Sequence, residues 1–305
     1  MTMKGRDFLR VSDASATELE SLLELAARLK GDRRHLAAAL PGRCVALLFE
    51  KPSLRTKASF TVGAARLGMQ AVSFTSEEIG LGTRESLADG ARALARYFDV
   101  LVYRTFAQDR LAELAHHCPV PVVNGLTDHE HPCQALADFL TVREAFGKLT
   151  GLRLAYIGDG NNVCHSLLMA AALLGVEVHV ATPGGHRPDA KVVDAARAAG
   201  GRVEVLDSPS RAVDGAHVVV TDTWTSMGHE AEAARRRESL SGFQVDAALM
   251  AKARPEAIFL HCLPAHRGEE VTDEVIESKA SRVFDEAENR MHVQVALLAK
   301  LLGAA

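Results

Sequence analysis

The sequence predicts an α/β protein made of two doubly wound parallel-sheet domains linked by helices. Three observations predict this fold: short apolar segments alternate with segments of helical periodicity, the alternation runs through two series, and polar residues follow most of the apolar segments. Such alternation is typical of parallel sheets, in which ligands bind beyond the carboxyl ends of the strands. We therefore expect a site in the cleft between the two domains.

The composition is that of an ordinary globular chain. Its 305 residues are enough for two hydrophobic cores, and 48% of them are apolar. The formal net charge of -4 argues against a general nucleic-acid-binding protein. We find no apolar signal segment and no run of about 20 apolar residues, so we expect a cytoplasmic protein that does not enter a membrane.

The cysteines do not form a recognisable framework. They are odd in number, far apart and without a C-x-x-C pair, which argues against disulfides or a zinc ribbon. We expect buried free thiols, with Cys262 as a possible exception. The five are Cys44, Cys118, Cys133, Cys164 and Cys262.

The first series of elements runs from an amphipathic helix to a short strand. Apolar residues at helical spacing predict the helices, and short β-branched or apolar runs predict the strands. The helices are predicted at Thr17–Lys30, Lys57–Leu67, Ser86–Tyr97 and Gln108–His116, and the strands at Arg43–Phe49, Ala71–Phe74, Val100–Arg104 and Val120–Asn124.

A longer helix leads into the second series. It is predicted at His131–Phe146, with Pro132 in its first turn. The strands that follow are predicted at Leu152–Ile157, Val176–Ala181, Arg202–Leu206, Val218–Thr221 and Ile258–His261, and the helices at Asn161–Leu174, Lys191–Ala199 and Val293–Leu302.

The segment Ser53-Leu-Arg-Thr-Lys57 follows the first strand, where a helix should begin. A helix start exposes N–H groups that suit an anion, and Arg55 can grip a phosphate through two nitrogens. Alternatively, Ser53 only caps the helix and Arg55 is a solvated charge. Arg104, at another strand end, favours the anion site.

Two polar residues lie one helical turn apart after the fourth strand. His131 can donate a hydrogen bond to a polarised oxygen, and Gln134 can donate or accept one. A histidine at a helix start more often makes a cap or core hydrogen bond. The nearby anion site favours the functional interpretation.

The segment Gly158-Asp-Gly-Asn-Asn162 invites a dinucleotide-binding interpretation, which fails on detail. Val163 stands where the third glycine is needed, and no acidic residue for a ribose follows Val176–Ala181. Asn161 and Asn162 at a helix start can instead hold a carboxylate.

The last two strands also end in polar residues. Asp222 can pair with an ammonium, Ser226 can bind another polar group, and Trp224 is expected to pack in the core. A metal at His261, Cys262 and His266 lacks a familiar ligand spacing. Without an evident base, Cys262 is expected to contact a substrate rather than attack it.

Seven segments together identify a family. They are FEKPSLRTK, YRTF, HPCQALAD, GDGNNVCHS, DTWTSMG, HCLPAHRG and EAENRMH. The chain resembles the ornithine carbamoyltransferases from about Gly5 to its end. This resemblance implies transfer of the carbamoyl group of carbamoyl phosphate to the δ-amino group of L-ornithine, giving L-citrulline and phosphate. It also implies a homotrimer, or a multiple of trimers, with no metal and no organic cofactor.

The resemblance also implies domains and roles. Residues 1–143 would bind carbamoyl phosphate, residues 144–286 would bind ornithine, and residues 287–305 would return to the first domain. The implied carbamoyl-phosphate ligands are Ser53, Leu54, Arg55, Thr56, Arg104, His131, Gln134, Cys262, Leu263 and Arg290. The implied ornithine ligands are Asn162, Asp222, Ser226 and Met227. The implied catalytic residues are Arg104, His131, Cys262 and Arg290.

The chain departs from the family at four positions. Lys57 replaces a usual arginine and lacks its planar fork. Leu54 replaces a frequent threonine, so a backbone contact with the phosphate is retained but a hydroxyl contact is not. Gly80 replaces a histidine or glutamine that many members extend into a neighbour's site, and Thr61 replaces a frequent glutamate.

Other functions stay open at this point. A related enzyme would use another amine, such as putrescine or an N-acylated ornithine, but the intact Ser226-Met-Gly segment argues against it. A non-catalytic relative would not need Arg55, Arg104, His131, Cys262 and Arg290 together. A nicotinamide oxidoreductase is disfavoured by the sequence after Gly158.

Overall fold

The computed structural model describes residues 3–225 and 230–305, and the chain forms two units. The first unit consists of Met1–Leu140 and Glu288–Ala305, and the second of Thr141–Ala287. The chain thus leaves the first unit once and returns to it at its end. Each unit has its own sheet and its own hydrophobic core.

A parallel sheet of the order β2-β1-β3-β4 forms the centre of the first unit. Its strands are β1 (Cys44–Phe49), β2 (Gln70–Phe74), β3 (Val100–Arg104) and β4 (Val122–Leu126). The register pairs Phe49 with Arg104, so the polar segments after β1 and β3 begin at the same edge. Ligands bind at this edge in open parallel sheets.

The helices predicted for the first unit are present, and the short third helix is additional to them. In chain order, the helices are α1 (Ala16–Gly31), α2 (Leu54–Arg66), α3 (Ser76–Ile79), α4 (Leu87–Leu94), α5 (Gln108–His117) and α6 (Pro132–Phe146), the last of which runs into the second unit. Ser15 and Glu18 form a capping box at the start of α1, which satisfies its first N–H groups.

A second parallel sheet, of the order β7-β6-β5-β8-β9, forms the centre of the second unit. Its strands are β5 (Arg153–Ile157), β6 (Glu177–Ala181), β7 (Val203–Leu206), β8 (Val218–Thr221) and β9 (Ile258–His261). The helices are α7 (Asn162–Leu174), α8 (Ala190–Ala198), α9 (Pro209–Val213), α10 (Ala233–Leu240), α11 (Ala247–Met250), α12 (Asp273–Ile276) and α13 (Val283–Leu301), which ends in the first unit.

The fold class is confirmed, and two helix starts are corrected. All nine predicted strands are present, with ends shifted by at most two residues. Helix α2 begins at Leu54 rather than Lys57, because Ser53 caps it. Helix α13 begins ten residues before the predicted Val293. The apolar pattern did not indicate its first turns, because they bury polar side chains. Among the described helices, none combines the length and apolar content that a membrane crossing requires.

Candidate active site

The start of α2 is a capped helix end at the ligand-binding edge of the first sheet. The Oγ of Ser53 accepts a hydrogen bond from the N–H of Thr56 (3.3 Å) and donates one to its Oγ1 (3.0 Å). Arg55 is half-buried, and the side chain of Leu54 is 81% exposed. The remaining N–H groups of this turn carry the positive end of the helix dipole, which suits an anion.

Arg290 joins this turn to helix α6. Its Nη2 donates to Thr56 Oγ1 (2.6 Å) and its Nη1 to Gln134 Oε1 (2.9 Å). The amide nitrogen of Gln134 donates in turn to Asp138 (2.7 Å). The planar guanidinium therefore fixes two elements relative to each other, which the single ammonium of a lysine cannot do.

His131 lies in a buried and cationic environment. Burial lowers the pKa of its imidazole well below the ordinary value, and the charges of Arg290 and Arg104 lower it further. His131 is therefore neutral at pH 7 and can donate one N–H to an oxygen without carrying a charge. Burial also raises the pKa of the adjacent Cys133 thiol to about 12, so this cysteine is not a thiolate.

Six of the predicted residues thus form one group, the first-unit set. Direct hydrogen bonds or mutual electrostatic effects join its members. They are Ser53, Thr56, Arg104, His131, Gln134 and Arg290. Arg104 is the last residue of β3 and pairs with Phe49 of β1. All six residues except Ser53 are buried.

Two of the positions that depart from the family, Lys57 and Gly80, are described in the first unit. Lys57 is exposed. Gly80 ends α3 at a φ of +55°, a backbone conformation that a side chain at this position would strain. Arg110 donates to the carbonyl of Leu81 and to Glu50 (2.6 Å), which ties this loop to the end of β1.

In the second unit, Asp222 collects three hydrogen bonds directly after β8. Its Oδ1 accepts from the N–H of Thr223 (2.8 Å) and from the Sγ of Cys262 (3.1 Å), and its Oδ2 accepts from the amide of Asn161 (2.7 Å). These donors fix the direction of the carboxylate. Asn162 is buried in the first turn of α7.

Asn161 caps α7 and also holds a carboxylate of the protein itself. Its Oδ1 caps α7 by accepting from Val163 and Cys164, and the hydroxyl of Tyr156 donates to the same oxygen. The carboxylate that it holds belongs to Asp222. An asparagine before an apolar helix signals the cap, but no sequence signal reveals its contact 61 residues away.

Gly160, in the Gly158–Asn162 segment, is explained by packing of the protein itself. A Cβ on Gly160 would lie 2.2 Å from the backbone nitrogen of Pro188. The carboxylate of Asp159 pairs with His186 (3.0 Å) and Arg236 (2.9 Å). The segment is thus held by contacts within the protein, from its glycine at 160 and its carboxylate at 159.

Two groups of the described residues bring potential metal ligands together: Asp222 with His261 and Cys262, and His266 with Glu269 and Glu270. In the first group, both ring nitrogens of His261 already make hydrogen bonds. In the second, Glu269 pairs with Arg237 (2.9 Å). In each group, at least one potential ligand is therefore already engaged by the protein itself.

The remaining predicted residues lie near Asp222 or outside the described part. Cys262 is partly buried, and Leu263 adopts a φ of +56°. Ser226 and Met227 lie outside the described residues. As predicted, Trp224 is buried in the core of the second unit.

Comparison with known proteins covers nearly the whole chain. Residues 6–144 match the carbamoyl-P binding domain of aspartate/ornithine carbamoyltransferase, and residues 150–301 match the Asp/Orn binding domain. An ornithine carbamoyltransferase of Parasynechococcus marenigrum is 54% identical, covering 99% of this chain and 95% of the relative. One from Symbiobacterium thermophilum is 52% identical, covering 99% of each.

Solved structures agree. The ornithine carbamoyltransferase from Pyrococcus furiosus superposes with a TM-score of 0.96 at 45% identity, covering 99% of each chain. That from Gloeobacter violaceus gives 0.89 at 47% identity, covering 98% of this chain and 99% of the other. The chain therefore belongs to the aspartate/ornithine carbamoyltransferase family. Within it, the four relatives compared above all carry the name of the ornithine branch.

Proposed function

We propose that the chain transfers the carbamoyl group of carbamoyl phosphate to the δ-amino group of L-ornithine, giving L-citrulline and phosphate. The observation that carries this proposal is the hydrogen-bonded chain from Ser53 through Thr56 and Arg290 to Gln134. It aligns a helix start with buried cations. The names of the relatives supply the acceptor.

The phosphate end of the substrate binds at the start of α2. Ser53, Arg55 and Thr56 supply hydroxyl and guanidinium donors, and Leu54 supplies its backbone N–H, since its side chain points to solvent. A helix N-terminus and a bidentate arginine both favour a dianion. This turn also holds the phosphate that leaves.

The carbonyl oxygen gains negative charge when the amine attacks. Arg104, His131 and Arg290 donate to this oxygen, and Gln134 contacts the carbamoyl group. Because these donors are buried and already oriented, little reorganisation is needed during the reaction. A neutral His131 donates one hydrogen bond without adding a third positive charge.

The amino-acid end of ornithine binds in the second unit. Asp222 pairs with the α-ammonium group, and Asn162, Ser226 and Met227 bind the other polar groups. The donors on Asp222 hold its carboxylate in a fixed direction, which prepares it for a cation. Cys262 and the carbonyl of Leu263 face the reacting amine and the carbamoyl nitrogen.

The chemical step needs a neutral amine. Its nitrogen attacks the carbonyl carbon, the bond from carbon to the phosphate oxygen breaks, and phosphate leaves. Desolvation and nearby cations lower the pKa of the amine. The departing phosphate takes the proton, so no protein base, metal or organic cofactor enters the proposed mechanism.

The assembly and location follow from the family resemblance. We expect a homotrimer, or a multiple of trimers, in the cytoplasm. Light scattering of the purified protein measures the mass directly. A monomeric mass would contradict the trimer.

Citrulline formation from carbamoyl phosphate tests the function, with L-ornithine, putrescine, N-acetylornithine and aspartate as parallel acceptors. Turnover with ornithine alone supports the proposal. Turnover with another acceptor would retain the carbamoyl-phosphate site and overturn the ornithine assignment. Absence of turnover in folded protein that still binds carbamoyl phosphate would favour a non-catalytic relative.

A further inference from the structure

Two fully buried side chains outside the proposed binding residues hold the turn that follows β9. The Nδ1 of His261 accepts a hydrogen bond from the N–H of Leu263 (2.9 Å). Its Nε2 lies 3.1 Å from Oε1 of Glu270. Both His261 and Glu270 are 0% exposed.

The hydrogen bonds define the tautomer of His261. Because Nδ1 accepts from a backbone N–H, it carries a lone pair, and the ring proton lies on Nε2. From there it is donated to Glu270. The neutral ring therefore bridges a backbone amide and a buried carboxylate, an arrangement that orients a histidine strongly.

The turn itself needs this support. Leu263 has a φ of +56°, a left-handed backbone conformation that residues with a β-carbon rarely adopt. Such conformations persist where the surrounding structure determines them. His261 holds the N–H of Leu263, and Glu270 Oε1 also accepts from the N–H of His266 (2.6 Å). Glu270 thus binds both ends of the segment 261–266.

A second buried carboxylate holds the same histidine from its other side. Oε2 of Glu286 accepts the backbone N–H of His261 (2.9 Å). With the backbone and the ring both held, the direction of the chain through Cys262 is fixed. The Sγ of Cys262 then donates to Oδ1 of Asp222 (3.1 Å).

We propose that His261 and Glu270 are positioning residues for carbamoyl transfer, because they set the left-handed turn that aims Cys262 and the carbonyl of Leu263. This inference rests on the proposed roles of those two residues. His261 and Glu270 themselves do not contact substrate.

Three substitutions separate the two halves of the bridge. Glu270→Gln keeps the volume and an acceptor oxygen but removes the charge. His261→Asn keeps an acceptor near the N–H of Leu263 but does not reach Glu270, whereas His261→Gln does the reverse. Glu274→Gln is the matched control, since this glutamate is exposed on α12.

Two readouts are measured on protein that circular dichroism shows to be folded. We expect kcat to fall by about tenfold or more in each variant, with the KM for carbamoyl phosphate nearly unchanged, because small misplacements cost this much. We also expect the iodoacetamide alkylation rate of Cys262 to change by about threefold or more, because access and hydrogen bonding set thiol reactivity. Peptide mass spectrometry separates Cys262 from Cys44 and Cys118.

The outcomes distinguish this inference from the proposed function. Altered alkylation with lowered kcat supports both. Altered alkylation with parental kcat supports the positioning of the turn but overturns the roles of Cys262 and Leu263. Parental alkylation in Glu270→Gln and in a folded His261 variant would overturn the inference, whatever happens to kcat.

Discussion

Substituting lysine for Arg290 tests the centre of the first-unit set. The guanidinium bridges Thr56 Oγ1 and Gln134 Oε1 and is 3% exposed. Arg290→Lys retains the positive charge but removes the fork, so one ammonium cannot serve both acceptors and the carbonyl oxygen of the substrate. The change therefore isolates geometry from charge.

The expected magnitude follows from the contacts that are lost. One missing donor to a developing oxyanion costs about 2.7–4 kcal/mol, a loss of about 100-fold to 1,000-fold in kcat. One missing hydrogen bond from a charged group lowers the free energy of unfolding by about 1.5–3 kcal/mol. The pKa of His131 should stay well below its ordinary value, because burial and two nearby cations remain.

The assay is steady-state citrulline formation with carbamoyl phosphate as the varied substrate, with NMR titration of the His131 ring on the same protein. Arg43→Lys is the control, because this exposed arginine pairs with Asp99 in the same unit. A kcat in Arg290→Lys within about threefold of the parent value would refute the assigned role, since a lost oxyanion donor costs far more.

Three further substitutions test separate parts of the site. Arg55→Ala should weaken carbamoyl-phosphate binding by about tenfold to 100-fold, the value of a charged hydrogen bond, and near-normal binding by calorimetry would remove Arg55 from the phosphate site. Asp222→Asn should raise the KM for ornithine by about tenfold or more and leave that for carbamoyl phosphate unchanged, since Asn161 would face a second amide. An unchanged ornithine KM and kcat would contradict the ammonium-partner role. The pKa of His131 is lowered in the folded state, so below about pH 6.5 the unfolded state binds more protons than the folded state does. The free energy of unfolding therefore decreases as the pH decreases, by at most about 1.4 kcal/mol per pH unit. His131→Asn should therefore lose less stability between about pH 6.5 and 5 in urea unfolding than the parent does, and equal losses would contradict a neutral buried imidazole.

The strands were predictable because burial on both faces of a parallel sheet demands unbroken apolar runs. Val218–Thr221 and Ile258–His261 were predicted to the residue. The first turns of α13 were not, since Glu286, Asn289 and Arg290 are buried although they are polar. Hydropathy predicts that such residues are exposed to solvent. In the structure they are buried, because residues distant in sequence supply their hydrogen-bond partners.

The candidate site divides in the same way. The capped start of α2 was predictable from Ser53 and the residues that follow it, because a helix cap is a local signal. The contacts of Asn161 with Asp222 and of His261 with Glu270 were not predictable. They join strand ends and loops through tertiary structure, which neither spacing nor periodicity encodes.

The return of the chain to the first unit has a consequence for biosynthesis. The hydrogen bond from Gly5 to Leu301 and the contact of α2 with Val295 need residues that are synthesised after the whole second unit. The second unit is encoded by one continuous segment and can close while synthesis continues. The unit that is translated first therefore completes its core last, and protease resistance of stalled nascent chains should appear in residues 141–287 before it appears in residues 3–140.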